Sequence, residues 1–334
     1  MKTPQQSHPK LASAIGVPEI YLKREDQHKY GSHKGRSIPL MIKTYHEQGW
    51  NNFVISSSGN AALAAILAAQ AHNKNKPNDL LSLKVFAGKK IDAEKLKLLM
   101  NTASGVHSQK FIANSQLQVT SYKLQVTIIQ TDRPKQAAFQ IDKEGKAKNL
   151  RQSTDDTALL GYHELAQELD KIENLQAIFI PTSSGTTAQG LGETFERLKN
   201  KPQIHVIQTE SCNPIAITLN VIPAQAGIQE SHDADWIPDQ AGHDKSGGTR
   251  PSIAGAIVDK IAHRKNKVIE IIKNSRGSGW IVSDDEIKGA MKLVKQTTGI
   301  EISPNSAISI AGLKKAVESG YRFNGPIVCL VTGK

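Results

Sequence analysis

Residues Phe53-Val54-Ile55-Ser56-Ser57-Ser58-Gly59-Asn60-Ala61-Ala62-Leu63-Ala64-Ala65-Ile66-Leu67 decide the fold. A short apolar run enters a serine-glycine turn. The turn opens onto an alanine-rich stretch with Leu63, Ile66 and Leu67 at helical spacing. Alanine favours helix and lets it pack closely on a sheet. The reading is therefore a buried strand, a turn and a helix. The same order returns where Ala177-Ile178-Phe179-Ile180 leads into Thr182-Ser183-Ser184-Gly185-Thr186-Thr187 and a helical segment at 190–199.

Working outward, further strands are predicted at 20–22, 81–87, 124–129, 204–208 and 327–331. Helices are predicted at 37–48, 60–72, 93–100, 155–169, 253–263, 284–297 and 306–319. Ser283-Asp284-Asp285-Glu286 reads as a helix cap with acidic residues in the first turn. Strands alternating with helices predict an α/β protein with two doubly wound parallel-type sheets and helices on both faces. Ligands in such sheets sit beyond the carboxyl ends of the strands, where both serine-rich turns fall.

These turns suit anions, because a helix start presents free backbone N–H groups and a positive dipole end. Ser57, Ser58 and Gly59 suit a carboxylate, and Asn60 adds an amide donor for a ring oxygen. Ser183, Ser184, Gly185, Thr186 and Thr187 suit a dianionic phosphate. Each turn alone also reads as an ordinary helix cap. Neither is a nucleotide P-loop or a GxGxxG fingerprint.

A third segment, Gly31-Ser32-His33-Lys34-Gly35-Arg36, offers a lysine among small residues. A lysine becomes a nucleophile when desolvation or a neighbouring cation lowers its pKa, and Arg36 stands two residues away. Thr332 ends the last apolar strand with a hydroxyl. A reactive amine with two anion cradles is what holds a phosphorylated aldehyde, which points to pyridoxal 5'-phosphate (PLP) and amino-acid chemistry.

The ensemble resembles the fold-type II PLP enzymes, the tryptophan synthase β-like group that includes threonine synthase, serine/threonine dehydratase and cysteine synthase. The resemblance runs from about Leu22 to the C-terminus. It implies that Lys34 is the Schiff-base lysine and that Ser57, Ser58 and Gly59 take the substrate carboxylate. It also implies that Asn60 meets the phenolic oxygen, Ser183 to Thr187 the phosphate, and Thr332 the pyridine nitrogen. Gln208-Thr209-Glu210-Ser211-Cys212-Asn213-Pro214-Ile215 and Gly299-Ile300-Glu301-Ile302-Ser303-Pro304-Asn305-Ser306-Ala307 are most similar to threonine synthase segments. Departures are His33 in place of an apolar residue, Gly35 in place of Asp, and Ser303 in place of Glu.

The implied activity is that of a lyase on a small amino acid, working by α-proton abstraction and β/γ-elimination or replacement. The threonine-synthase version converts O-phosphohomoserine and water to threonine and phosphate, the water adding at the β-carbon. A serine/threonine dehydratase and an inactive paralogue stand as alternatives. Residues 1–35 and 156–334 are assigned to a large PLP-binding domain and 36–155 to a smaller α/β domain, with the site in the cleft between them.

Bulk composition agrees with a two-domain globular enzyme. The chain has 334 residues, 38% hydrophobic and 22% charged. Its formal charge of +11 is spread along polar helix faces, and aromatics make up only 5%. That argues for a basic surface attractive to anionic substrates, without nucleic acid as partner. Cys212 and Cys329 are the only cysteines, which suits a reducing cytoplasm. No apolar signal core opens the chain. The run at 61–71 is shorter than the ~20 residues of a membrane span, so no membrane partner is expected. A homodimer is expected from the family alone.

One stretch stands apart. Ile222-Pro223-Ala224-Gln225-Ala226-Gly227 nearly recurs as Ile237-Pro238-Asp239-Gln240-Ala241-Gly242, marking an insert at about 221–250 that is read as an exposed loop. Its His232, Asp233, Asp235, His243 and Asp244 are of loop composition, and no metal is expected there or elsewhere.

Overall fold

The computed structural model describes residues 2–104, 108–113, 116–121, 125–219 and 251–333. The repeat-bearing insert and its His and Asp residues lie outside the described residues.

The chain opens with β1 (Gln5–Ser7), α1 (Pro9–Ile15) and β2 (Glu19–Arg24). Next come α2 (Lys34–Glu47), β3 (Asn52–Ser56), α3 (Asn60–Asn75), β4 (Ser82–Gly88) and α4 (Ala93–Ser104). A hairpin of β5 (Ser108–Ala113) and β6 (Gln116–Ser121) precedes β7 (Gln125–Thr131), α5 (Pro134–Lys143) and β8 (Lys148–Asn149). Then follow α6 (Thr157–Leu160), α7 (His163–Leu169), β9 (Ala177–Pro181), α8 (Thr186–Phe195), β10 (Gln203–Thr209) and α9 (Ala216–Leu219). The last elements are α10 (Lys265–Asn274), β11 (Gly279–Val282), α11 (Asp284–Thr298), α12 (Pro304–Glu318) and β12 (Pro326–Val331).

Two main sheets result. The larger has the order β1-β2-β12-β9-β10-β11, parallel except for the edge strand β1. The smaller has the order β7-β4-β3-β8 and is wholly parallel. Parallel strands need cover on both faces, and alternation along the strands supplies it. Phe179, Ile207 and Cys329 enter one core of the large sheet with α1, α11 and α12. Ile178, Ile180, Val206, Val328 and Leu330 enter the other, with α7, α8 and α10. In the small sheet Phe53, Ile55, Leu83 and Val85 face α2 and α3, while Val54 and Phe86 face α5. The α/β architecture with two parallel-type sheets is thus present. Among the described residues, no helix is long and apolar enough to cross a membrane.

Ser283 caps α11 as expected: its hydroxyl accepts from the Glu286 amide, and the Glu286 carboxylate accepts from the Ser283 amide. Two expected helices differ. The 155–169 segment breaks into α6 and α7, where the chain turns to bury Tyr162 completely beneath Ser37. The 253–263 segment is an irregular strap of bends and turns, with no helix assigned. Its amides are taken by distant side chains: Ile253 donates to Asp284, Ala256 to Asn305 Oδ1, and Val258 and Asp259 to Ser183 Oγ. A helix needs those amides for its own carbonyls, so tertiary bonding wins over apolar spacing.

Two histidines, buried His205 and half-buried His33, contribute to the acid response. Burial pulls His205 down to about 3. Burial and then the Lys34 charge pull His33 to about 3 as well. Unfolding restores both toward 6.5, so below that pH the unfolded chain binds more protons. Stability is expected to fall as pH drops from about 6.5 toward 3, by up to about 1.4 kcal/mol per pH unit for each ring. Urea midpoints measured from pH 7.5 downward test this; a flat profile between about pH 6 and 5 contradicts it.

Candidate active site

The strands of both sheets point their carboxyl ends at one cavity of about 450 Å³. Lys34, Ser57, Ser58, Gly59, Asn60, Ser183, Ser184, Gly185, Thr186, Thr187 and Thr332 all line it. Its size falls within the range of about 300–1,000 Å³ common for small-molecule sites.

Lys34 is the first residue of α2, and its amide donates to Ser32 Oγ at 3.3 Å. The turn before it is tied to the end of β12. Ser32 bridges Gly333, and the His33 amide donates to Thr332 O at 2.9 Å. His33 Nδ1 also lies 2.9 Å from Thr332 O. A carbonyl only accepts, so Nδ1 carries the proton and the neutral ring keeps its lone pair on Nε2. His33 therefore positions the Lys34 turn against the strand end. Its ring stands 6.4 Å from that of Tyr162.

Asn60 begins α3 and meets the same strand end. A Cβ on Gly333 would stand 2.5 Å from Asn60 Nδ2 and 3.0 Å from Ser32 Cβ, so a side chain there would push the Asn60 amide aside. Ser303 and Ser306 donate to Gly333 O at 2.6 and 2.8 Å and anchor it from α12. These two serines were not singled out from the sequence; the signal was Ser303 standing where the family has Glu. Ser57 Oγ accepts from the Gly59 amide at 3.2 Å and shapes the turn, while Ser58 and Gly59 are exposed on the cavity side.

The Ser183–Thr187 turn opens α8. Gly185 has φ +89°, and a Cβ there would come within 2.8 Å of Val268 Cγ2. Only glycine takes that left-handed corner without strain. Among the described residues, the amides of 184–187 donate to no protein acceptor; Gln189 makes the first helical bond, to Gly185 O at 2.9 Å. A run of free amides beside the hydroxyls of Ser184 and Thr186, themselves 2.9 Å apart, fits a phosphate. Ser183 differs: its hydroxyl accepts from the strap amides of Val258 and Asp259, and so pins the strap to the cradle.

Arg36 corrects an expectation. Its guanidinium does not act as an uncompensated cation beside Lys34. It is buried between Glu25 (2.8 Å) and Glu168 (2.7 Å), with Glu164 at 3.1 Å. Lys23 pairs with the same Glu168. Burial alone would raise Glu168, but hydrogen bonds from Arg36 and then Lys23 hold it below its ordinary value. This network ties α2, which begins at Lys34, to β2 and α7.

Lys95, Lys135 and Arg151 line the same cavity and were not singled out from the sequence. Lys135 pairs with Asp259 at 2.9 Å. Arg151 meets the neutral partners Ser153 and His263, and neither Arg151 nor Lys95 has a carboxylate partner among the described residues.

A family of pyridoxal-phosphate-dependent enzymes matches residues 1–333. The chain belongs to that family. Threonine synthase of Methanosarcina acetivorans is 24% identical over 340 residues, covering 99% of this chain and 74% of the relative. L-threonine dehydratase of Haemophilus influenzae is 22% identical, covering 99% of this chain and 56% of that protein. Among solved structures, processed threonine deaminase isoform 2 of Solanum lycopersicum superposes with a TM-score of 0.73 at 17% identity, over 100% of this chain and 79% of that one. The family's fold-type II architecture is thus that of this chain. PLP is the family's cofactor, and the amide cradle at 184–187 fits its phosphate.

Proposed function

We propose that this enzyme is a lyase acting on a small amino acid with a phosphate leaving group, in the manner of a threonine synthase. One observation carries the reading. The cavity that holds the Ser183–Thr187 cradle also gathers Lys95, Lys135 and Arg151. One phosphate is served by the cradle, so a second cationic group in the same space suits a substrate bearing its own phosphate. O-phosphohomoserine is such a substrate, and the similarity to an archaeal threonine synthase supports it.

In this reading Lys34 holds PLP, Asn60 meets its ring oxygen and Thr332 its ring nitrogen. When bound, PLP supplies the electron sink that makes the substrate α-proton removable. Ser57, Ser58 and Gly59 fix the substrate carboxylate at the helix start. The Lys34 amine is the base that takes the α-proton. The neutral Thr332 hydroxyl does not enforce a protonated ring nitrogen as a carboxylate would, which suits elimination and replacement over transamination. Lys95 and Arg151 hold the leaving phosphate, and water from the open cavity adds at the β-carbon.

The test is a paired assay with PLP-supplemented protein. Phosphate release from O-phosphohomoserine is expected to exceed ammonia release from threonine or serine. A Lys95→Ala, Arg151→Ala double variant is expected to lose about 10²–10⁴-fold in kcat/KM for the phosphorylated substrate, from two charged hydrogen bonds worth about 1.5–3 kcal/mol each. Ammonia release without phosphate release overturns the reading in favour of a dehydratase, the reading favoured by the similarity to the Haemophilus enzyme.

A further inference from the structure

The small sheet carries a second cluster at the opposite end of the helices that bear Lys34 and Asn60. His46 lies in the last turn of α2, His72 in the last turn of α3, and Asp79 in the loop before β4. One ligand atom from each lies within 4.8 Å of the others. His46 Nε2 is 2.9 Å from Asp79 Oδ2, and His72 Nε2 is 3.8 Å from the same oxygen. The two rings meet edge-on with centroids 4.7 Å apart. Both histidine side chains are 16% exposed and the Asp79 side chain 38%, so the cluster is half-buried yet open to an entering ion.

Protonation sharpens the geometry. His46 Nδ1 stands 2.8 Å from Asn51 Oδ1, an acceptor, so Nδ1 carries the proton. His46 Nε2 is then the ring nitrogen turned toward the Asp79 carboxylate. Asn51 plays the part of the outer partner that fixes the tautomer of a metal-binding histidine. Tetrahedral bonds of 2.0–2.1 Å place ligand atoms about 3.3 Å apart, between the 2.9 and 3.8 Å found from the two rings to Asp79 Oδ2.

We propose that His46, His72 and Asp79 form a zinc site with the fourth position left to water. Two imidazoles and one carboxylate suit Zn²⁺ and not the oxygen-seeking Ca²⁺ or Mg²⁺. Binding moves His72 Nε2 off the Asp79 carbonyl, to which it now bonds at 2.8 Å. It also displaces Lys76, whose exposed ammonium lies 3.8 Å from Asp79 Oδ2. The ion then clasps the far ends of α2 and α3 to the loop entering β4, well away from the cavity. The sequence hid the site because its ligands sit on three separate elements.

The full chain, stripped with EDTA, is titrated with Zn²⁺ by calorimetry beside the His72→Gln and Asp79→Asn variants. Gln at 72 keeps an N–H for the Asp79 carbonyl but loses the ligand lone pair. The wild type is expected to bind one more equivalent than either variant, and Zn²⁺ is expected to raise its Tm but not theirs. The difference counts, since the chain has 11 histidines. Equal stoichiometry in all three overturns the proposal, and so does no binding to the wild type. If neither variant folds, Co²⁺ in the wild type decides: intense tetrahedral visible bands support the site, and weak octahedral-type bands overturn it.

Discussion

Lys34→Ala is expected to lower turnover by about 10³-fold or more, with the loss in kcat. The magnitude is that of removing a positioned base, about 10²–10⁴-fold, together with the group that holds the cofactor. The geometry gives this lysine a defined place: it heads α2, its turn is hydrogen-bonded to the end of β12, and it faces the cradle across one cavity. Two readouts check the role apart from activity. The wild type mixed with PLP is expected to show a visible band that the variant lacks, and after borohydride treatment the cofactor mass is expected on the Lys34 peptide alone. A variant that keeps both its turnover and its visible band would remove Lys34 from the mechanism.

Arg36→Met is expected to destabilise the fold by about 3–5 kcal/mol, the usual cost of breaking a buried ion pair from one side. It leaves Glu25, which is fully buried, and Glu168, 7% exposed, without their guanidinium. Lys23 compensates only part of that charge. Denaturant midpoints of wild type and variant measure the loss. Adding Glu25→Gln to the variant is expected to restore part of it, since a neutral amide no longer needs the cation. A midpoint unchanged in Arg36→Met would mean that water reaches the carboxylates. Because the same network seats the turn carrying Lys34, a milder Arg36→Lys change is expected to lower PLP affinity before it unfolds the chain.

The two serine-rich strand–turn–helix corners were legible in the sequence because their physics is local. A short buried strand, a serine-glycine corner and a helix start are recognisable from neighbouring residues alone, and at 184–187 the corner leaves a run of amides without a protein acceptor among the described residues. The Ser283 cap was readable for the same reason. The strap at 253–263 was not, since its apolar spacing imitates a helix while its amides bond to Ser183, Asp284 and Asn305. Arg36 was misread because its partners Glu164 and Glu168 arrive from another helix 128 and 132 residues later. Ser303 stood out in the sequence only as a departure from Glu, and Ser306 not at all, until β12 brought Gly333 onto their hydroxyls.

By itself, then, the sequence determined the α/β class, the alternation of strands with helices and the composition of each serine-rich turn, all of which depend on neighbours a few residues apart. Only the tertiary structure decided that Lys34, Asn60, the 184–187 amides and Thr332 share one cavity with Lys95 and Arg151, and that Arg36 is spent on buried carboxylates. Those outcomes depend on the crossovers of two parallel sheets, which bring together groups that chain proximity never does.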